Sequence, residues 1–412
     1  MAGIGIVGSG IAGLHLGLYL LQHDVPATMY TETTAEQIAG GRLPNTVGHH
    51  HCTLDRERLL GVHFWDAAEY GYDCHHHYVG GEQPLFFPGF FESRSSSIDY
   101  RLYLPRLMEE YEERGGELVV GSLEPEDVER LSEHHDVLVV CSGRGALASM
   151  FPRRPEKSPY DRPQRRLCAG LYHGIARTDP IGVSISISPG HGELLELPMF
   201  SRDGHVTVLL FECVPGGEME VLADLRHDDD PAAFRRTVLE IVERHHPKTF
   251  ERIDHAEFAL TGPLDLLQGA LTPTVRADYV QLGSGKFAIA VGDAHTVVDP
   301  VMGQGANSAS YSAWTVGEAL VGDYAYDQRF CERVARAREE RVLGISDWVN
   351  LMLAPPAPHL LELIGAMSQD RTICDEFTEN FNAPERTWDI LATPERTRAY
   401  LERRLAVVGD AA

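Results

Sequence analysis

Three glycines near the start of the chain have the spacing of a site that binds a dinucleotide. Gly8, Gly10 and Gly13 follow a short apolar run and precede a helical pattern, and Glu32 comes after a second apolar run. In such an arrangement the first glycine allows a tight turn, the second lets the backbone approach a pyrophosphate, and the third lets helix and strand pack closely. An acidic residue about 20 positions later accepts hydrogen bonds from ribose hydroxyls. By itself this turn predicts a bound dinucleotide, of which NAD is the default.

A second helix that begins with glycines comes much later in the chain and changes this interpretation. An apolar strand ends at Gly292 and Asp293, and the run from Gly303 to Asn307 leads into another helix. A helix N-terminus provides unpaired N–H groups and partial positive charge, and Asp293 is placed to bond a polyol hydroxyl. The two glycine turns together predict a cofactor whose halves are held at separate points, as the halves of FAD would be.

Histidines crowd residues 49–77 and raise the alternative of a metal site. Consecutive histidines on a strand point to alternate faces, so a triplet offers at most about two ligands to one ion. Neither cysteine nor carboxylate stands nearby at a recognisable zinc spacing. We therefore expect no metal and interpret the region as the wall of a pocket, in which Tyr72, His75, His77 and Val79 alternate along one strand.

The elements that position these residues follow from the hydrophobic pattern. The apolar runs at 4–7, 137–140 and 287–291 are typical of buried parallel strands, which deliver their turns to the ligand edge of a sheet. From Arg166 to about Val214 the pattern predicts β-strands separated by Gly, Pro and Asp-Gly turns. Residues 84–98, with four phenylalanines broken by proline and glycine, predict a pocket wall or a loop packed on the core.

Residues 328–412 are charged and read as helical. An arginine run near their start predicts a solvated, salt-bridged face. Its members are Arg329, Arg333, Arg336, Arg338 and Arg341.

The predicted fold class is α/β, with a Rossmann-like FAD-binding domain, an inserted β-sheet substrate domain and a helical C-terminal region. We expect the FAD-binding domain to be discontinuous, over 1–75, 97–165 and 276–345. The substrate domain takes 76–96 and 166–275, and the helical region takes 346–412.

Composition excludes several classes of partner. The formal net charge is −25 and the isoelectric point is near 5.2, which argues against nucleic acid and anionic membrane surfaces. The sequence has no signal-peptide pattern and no apolar run long enough to span a bilayer. Its seven cysteines lack a C-x-x-C pair, so we expect reduced thiols and a cytoplasmic location.

With these motifs in hand, the chain resembles the FAD-dependent monooxygenases of the hydroxylase fold, and most closely the oxygenase component of two-component styrene monooxygenases. The resemblance runs nearly from end to end. The segments that carry it are GIVGSGIAGLHLGLYL at 5–20, NTVGH at 45–49, SSSIDYRLY at 95–103, DVLVVCSG at 136–143, SPGHGEL at 188–194, HDDDP at 227–231, LQG at 267–269, GDAHTVVDPVMGQGAN at 292–307 and DEFTENFNAPERTWD at 375–389.

The resemblance implies a reaction. A separate NADH-dependent flavin reductase would supply reduced FAD, which reacts with O₂ to give a C4a-hydroperoxyflavin. One oxygen atom would then pass to the double bond of a small aromatic substrate, converting styrene to styrene oxide. The resemblance also implies a homodimer. Two alternatives stay open: an indole monooxygenase whose product leads to indigo, and a protein that binds flavin without catalysis, because fold alone does not fix function.

The resemblance also implies site residues. Those expected to bind the cofactor are Gly8, Gly10, Gly13, Glu32, Arg42, Leu43, Arg101, Asp293, Pro300, Gly303, Gln304, Gly305, Ala306 and Asn307. Those expected to line the substrate pocket are Asn45, Val47, His49, Tyr72, His75, Ser95 and Gln268. The implied chemistry requires no acid–base catalyst, nucleophile or metal. Single-component hydroxylases have an aspartate where this chain has Ser142, in Cys141-Ser142-Gly143-Arg144, which favours reduction of the flavin by another protein.

Overall fold

The structure of the protein is a computed structural model that describes residues 3–143, 145–322 and 325–410, without the side chains of 405–410. Arg144 therefore lies outside the described residues. The strands are β1 (Ile4–Val7), β2 (Ala27–Thr31), β3 (Gly71–Val79), β4 (Leu85–Ser96), β5 (Glu117–Val120), β6 (Val137–Val140), β7 (Arg166–His173), β8 (Gly182–Ser188), β9 (Gly192–Ser201), β10 (Gly204–Cys213), β11 (Ala259–Leu260), β12 (Leu266–Gly269), β13 (Thr274–Val275), β14 (Tyr279–Gln281), β15 (Phe287–Ala290) and β16 (Thr296–Val297).

Helices connect and cover these strands. They are α1 (Ile11–Gln22), α2 (Ala35–Ala39), α3 (His51–Leu60), α4 (Ala67–Tyr70), α5 (Tyr100–Glu113), α6 (Pro125–Leu131), α7 (Val221–Asp224), α8 (Pro231–His245), α9 (Pro247–Phe250), α10 (Gly305–Gly322), α11 (Gln328–Leu353), α12 (Pro358–Gln369), α13 (Arg371–Glu379), α14 (Pro384–Leu391) and α15 (Pro394–Asp410).

The first sheet has the strand order β14-β15-β6-β1-β2-β5. From β15 to β5 every pairing is parallel, and β14 joins the edge in the antiparallel sense. Strands β1, β6 and β15 are buried along their whole length, as continuous apolar runs predict for a sheet with both faces covered. The sheet places the turns after β1, β6 and β15 side by side at one edge.

The second sheet has the order β11-β7-β10-β9-β8-β3-β4, with β12 also paired to β7. Its pairings are antiparallel except that β3 and β8 run parallel. One face packs against α8 around Phe234 and Val238. The other face packs against helices of the C-terminal region. Helices therefore cover both faces of this sheet.

Of the two alternatives predicted for residues 84–98, the loop is wrong, because most of them form the long strand β4, and Phe87 on this strand does line a cavity wall. An edge strand tolerates proline, since one of its sides forms no ladder, and β4 lies at the edge of the sheet. Helix α13 covers that edge. Asp375 accepts a hydrogen bond from Phe90 N at 2.8 Å, and Glu379 accepts one from Glu92 N at 2.8 Å.

The predicted salt bridges form at Arg338, with Asp278, and at Arg341, with Glu385, but the prediction that these two side chains are solvated is wrong. Arg338 is fully buried, donates to Ala290 O at 2.6 Å and pairs with Asp278 at 3.0 Å. Arg341 donates to Asn382 O at 2.7 Å. Helix α11 lies between the first sheet and α14, so both arginines point into packed structure.

The domain division stays a prediction, although two of its boundaries fall inside single elements. The boundary at 75 cuts β3, which pairs with β4 and β8 over its length, and the boundary at 345 cuts α11. In the described part of the chain, the helices are all too short or too polar to cross a bilayer.

Gly13→Ala should destabilise the fold by about 2–3 kcal/mol, the cost of overpacking a rigid contact. A Cβ at Gly13 would lie 1.9 Å from the carbonyl oxygen of Gly8, and backbone cannot yield as a side-chain tip can. Gly10→Ala is the matched control. Described atoms leave 4 Å of clearance around its Cβ, so we expect a loss of no more than about 1 kcal/mol. Urea denaturation measures both, and equal losses would contradict this account of the turn.

Candidate active site

The glycine turn after β1 has the geometry that its sequence predicts. Gly8 adopts a φ of +109°, which favours glycine, and its N–H bonds to Tyr30 O on β2 at 2.8 Å. Gly13 faces the backbone of Gly8, and Gly10 caps the N-terminus of α1. The structure thus assigns the tight turn and the close contact to the glycines predicted for them.

The turns after two other parallel strands, β6 and β15, meet beside this one. A Cβ on Gly143, after β6, would lie 2.3 Å from the Cβ of Asp293, after β15. A Cβ on Gly292 would lie 3.4 Å from that of Ala12 and 3.5 Å from that of Ala309. The first turns of α1 and α10 therefore converge at the carboxyl edge of the sheet, where α/β proteins bind their ligands.

The run before α10 forms a second cradle. Pro300 opens a 3₁₀ turn that ends at Gly303, whose φ is +58°. A Cβ on Gly303, like one on Gly10, would meet no described atom within 4 Å. Gln304 is fully buried, and its Oε1 has no hydrogen-bond partner among the described residues. Two helix N-termini, open space at two glycines and an unpaired buried acceptor fit an elongated cofactor such as FAD.

Asn307, expected to touch the cofactor, has its side chain fully engaged within the protein. Its Oδ1 accepts from His50 N at 2.9 Å and Thr53 Oγ1 at 2.7 Å. Its Nδ2 donates to Gly48 O and to Gly303 O, both at 3.0 Å. The side chain of Asn307 therefore joins the segment before α3 to the start of α10.

Two arginines expected at the cofactor are held by protein groups. Arg42 is exposed and donates to the carbonyls of Pro263 and Leu266, both at 3.0 Å. Arg101 is buried and pairs with Asp99 and Asp265, each at 2.6 Å. Contact with a pyrophosphate would compete with these bonds, so the cofactor roles of Arg42 and Arg101 stay predictions.

Two further residues predicted to bind the cofactor differ in their exposure to solvent. Glu32 is exposed just beyond the end of β2. Leu43 is buried, and its N–H bonds to Leu264 O at 2.8 Å.

Several residues predicted for the substrate pocket gather on one face of β3 and β4. Tyr72, His75 and Ser95 are buried there, and His75 lies 4.5 Å from Phe381 between ring centroids. Ser95 Oγ, His75 Nδ1 and Asn45 Oδ1 are buried without a hydrogen-bond partner in the described part of the chain. Burial holds the pKa of His75 well below its ordinary value, so its ring is neutral. The remaining predicted residue on this side, Val47, packs against the core of the first sheet.

His49 lies in a buried network rather than offering its ring to a pocket. Its Nδ1 bonds to Glu57 Oε1 at 2.7 Å and its Nε2 bonds to Tyr100 OH at 2.8 Å. Tyr103 OH also donates to Glu57, at 2.8 Å, and contacts His15 Nε2 at 2.7 Å. Burial lowers the pKa of His15 to about 3. We therefore expect His49 to position the pocket wall, since both of its ring nitrogens are occupied.

Gln268 needs correction, because its side chain lies on the opposite face of the second sheet from the other predicted pocket residues. Its Nε2 donates to Leu222 O at 2.6 Å and Leu225 O at 2.8 Å, beside α7. It pairs in register with Cys168, which belongs to the cluster around α8. The LQG motif marks a structural anchor for the segment after α7.

A cavity next to the predicted pocket is lined by none of the seven residues predicted for that pocket, although His75 contacts two of its lining residues, His77 and Phe381. This narrow apolar cavity extends from His77 and Val79 on β3 to Met302, Leu363 on α12 and Phe377 on α13. The sequence shows the helical periodicity of the C-terminal region, but it does not show which face of the sheet these helices cover. The one signal in the sequence for these cavity residues is the DEFTENFN segment, which contains Phe377 and Phe381.

A buried acidic cluster lies directly before the 3₁₀ turn at Pro300. Glu212 and Asp299 are both fully buried, and Arg165 pairs with the neighbouring Glu193 at 2.7 Å. Burial and the nearby Asp299 raise the pKa of Glu212 well above its ordinary value, and burial raises the pKa of Asp299 to about 6. One arginine cannot neutralise three carboxylates, so Glu212 keeps its proton and donates it to Asp299.

Glu212→Gln should remove a pH dependence of stability that this cluster causes. The folded protein holds these protons more tightly than the unfolded chain, so the stability that they contribute is fully present below about pH 4 and is lost as pH rises through about 6. Glutamine donates to Asp299 without titrating. Between about pH 4.5 and 6 we expect the wild-type protein to lose about 1–2 kcal/mol relative to the variant. Urea denaturation across this range measures it, and parallel pH profiles would contradict the assignment.

Comparison with solved structures places the fold among flavin-dependent enzymes. The flavin-dependent brominase Bmp2 has a TM-score of 0.71 at 15% identity, with 98% of each chain covered. PqsL, a probable FAD-dependent monooxygenase from Pseudomonas aeruginosa, has a TM-score of 0.60 at 14% identity, covering 91% of this chain and 98% of that one. These similarities confirm the predicted fold class.

Sequence comparison is more specific. Residues 143–252 match a family model described as the styrene monooxygenase A putative substrate binding domain. Two proteins named styrene monooxygenase StyA, from Pseudomonas fluorescens and a Pseudomonas species, are each 47% identical over 397 residues, covering 95% of this chain and 96% of theirs. The chain therefore belongs to the styrene monooxygenase family, in agreement with the resemblance of its motifs.

Proposed function

We propose that this protein is the oxygenase component of a two-component flavin monooxygenase that epoxidises styrene and related vinyl aromatics. One observation carries the proposal: an apolar cavity lies directly against the second cofactor cradle. Met302 forms part of the cavity wall, and the next residue, Gly303, belongs to the cradle. The names of the relatives, at 47% identity over 95% of the chain, support the choice of substrate.

FAD is the proposed cofactor, and the two cradles assign its parts. Gly10 gives the pyrophosphate access to backbone N–H groups of α1, and Glu32 accepts from the adenosine ribose. Asp293 accepts from the ribityl chain, and backbone groups at 303–306 hold the isoalloxazine. Reduced FAD, once bound, supplies the activation of O₂ and the transfer of one oxygen atom.

The protein's own task is positioning and exclusion of water. Apolar side chains from the second sheet and from α12 and α13 surround the cavity next to residues 300–304 before α10, which we call the flavin loop. Burial lowers the pKa of His50 to about 3 and that of His77 to about 4. These rings are neutral at pH 7, so His77 in the cavity wall, and His50 behind Phe381, do not bring the strongly held water that a charge would bring.

Reduction of the flavin is assigned to a partner. The turn after β6 presents Ser142 and Gly143 where single-component relatives of this fold carry an aspartate. The proposed partner is an NADH-dependent flavin reductase, and the proposed assembly of the oxygenase is a homodimer.

The reductase requirement is tested by incubating purified protein with FAD, NADH and styrene, with and without an added flavin reductase. We expect styrene oxide when reductase is present and none when it is absent. Epoxide formed without reductase would refute the two-component assignment. Indigo from indole without any styrene oxide would instead make the protein an indole monooxygenase, and bound flavin with neither product would make it a flavin carrier.

Gly10→Val should weaken FAD binding at least about tenfold, a loss of about 1.4 kcal/mol. The valine would fill the space that the pyrophosphate needs, while the fold tolerates a side chain there. Equilibrium titration of oxidised FAD, and of reduced FAD without oxygen, measures the change. Gly322→Val is the control, because Gly322 also faces open space but ends α10, at the opposite end of that helix from the cradle. Unchanged affinity for the Gly10 variant would refute the placement of the pyrophosphate.

A further inference from the structure

The cavity beside the flavin loop carries one polar side chain in an otherwise apolar lining. Its walls include Met302, Met352 and Met367 together with Phe377 and Phe381. Apart from His77, the lining residues that the structure describes are aliphatic, aromatic or methionine. His77 is therefore the residue of the described lining whose side chain can form a hydrogen bond with a ligand in this cavity.

The ring of His77 is fixed and has an unused hydrogen-bonding atom. It stacks on Phe87, with 5.3 Å between ring centroids and 24° between planes, and meets Phe377 edge-on at 6.1 Å. The residue is 7% exposed, and its Nε2 has no hydrogen-bond partner among the described residues. The aromatic contacts restrict the ring from turning to find one.

An unpaired buried nitrogen of this kind destabilises the folded protein, because it has lost its hydrogen bonds to water and gained none in return. A buried water molecule satisfies such a group poorly here, because a stable water needs about 2–4 polar partners and the described lining offers His77 alone. A neutral imidazole nitrogen can donate or accept, depending on its tautomer. A ligand that brings its own polar group on an apolar ring would satisfy both the nitrogen and the wall.

We propose that His77 is a specificity-determining residue that binds a hydroxyl substituent on the ring of the aromatic substrate, at the end away from the reacting double bond. The proposal rests on the proposed function and deepens it by naming a preferred substrate class, the hydroxylated vinyl aromatics. The vinyl group lies toward Met302 and the flavin loop, and the hydroxyl lies at His77.

Entry of a ring requires the cavity to widen. Its free volume is about 30 Å³, roughly that of one water molecule. Three methionines in its wall allow this widening, because unbranched methionine side chains change rotamer and re-pack at small cost. They are Met302, Met352 and Met367.

Calorimetric titration of the full-length protein with 4-hydroxystyrene and with styrene tests the proposal. We expect 4-hydroxystyrene to bind about fivefold to tenfold more tightly, the value of one net hydrogen bond. His77→Phe should abolish this preference, and His77→Gln should retain part of it. The ratio of KM values for the two substrates, measured with reductase, should follow the same order.

His76→Phe is the matched control. His76 lies next on β3 and faces the other side, with its Nε2 bonded to Pro180 O at 2.9 Å, so its replacement should leave the preference unchanged. An equal preference in wild type and His77→Phe, or no preference in wild type, would overturn the proposal, as would absence of binding by either compound. Because the affinity ratio needs no turnover, failure to form epoxide would count against the proposed function separately.

Discussion

The buried carboxylate of Glu57 holds together the elements around the site. It is 4% exposed and accepts hydrogen bonds from His49 and Tyr103, with His63 at 3.4 Å from its other oxygen. Burial alone would raise the pKa of Glu57, but His49 and the hydrogen bonds from His49 and His63 outweigh it and lower the pKa. Removing one partner of such a buried charge is strongly destabilising, because the remaining charge is left uncompensated.

This network fixes α3 against α1 and α5, and Asn307 then fixes the start of α3 against α10. The two helix N-termini that form the cradle are thus held by side chains behind them. His49 and Asn307, both expected to touch a ligand, act one layer further back. This support matters because a cofactor site that is already rigid needs little reorganisation when the cofactor binds.

The features that could be predicted from sequence depend on neighbours close in the chain. The roles of Gly8 and Gly13 follow from the strand, turn and helix that surround them, and continuous apolar runs indicate a parallel sheet. The features that could not be predicted depend on distant partners. Gln268 lies on the face toward α7 because carbonyls beside that helix accept its hydrogen bonds. Arg338 is buried because Asp278 and the carbonyl of Ala290 accept its hydrogen bonds. Proline is tolerated in β4 because this strand lies at the edge of the sheet.

The cover over β4 has a consequence for synthesis of the chain. The hydrogen bond from Phe90 N to Asp375 spans 285 residues, so the edge of β4 emerges from the ribosome long before α13. At about 5–20 residues per second the delay is of order 15–60 seconds. During that time the edge strand, with Phe86 and its neighbours, is an unpaired template for other chains. Nascent protein should therefore need a chaperone most in the interval between these two segments, and C-terminal truncation would make that exposure permanent.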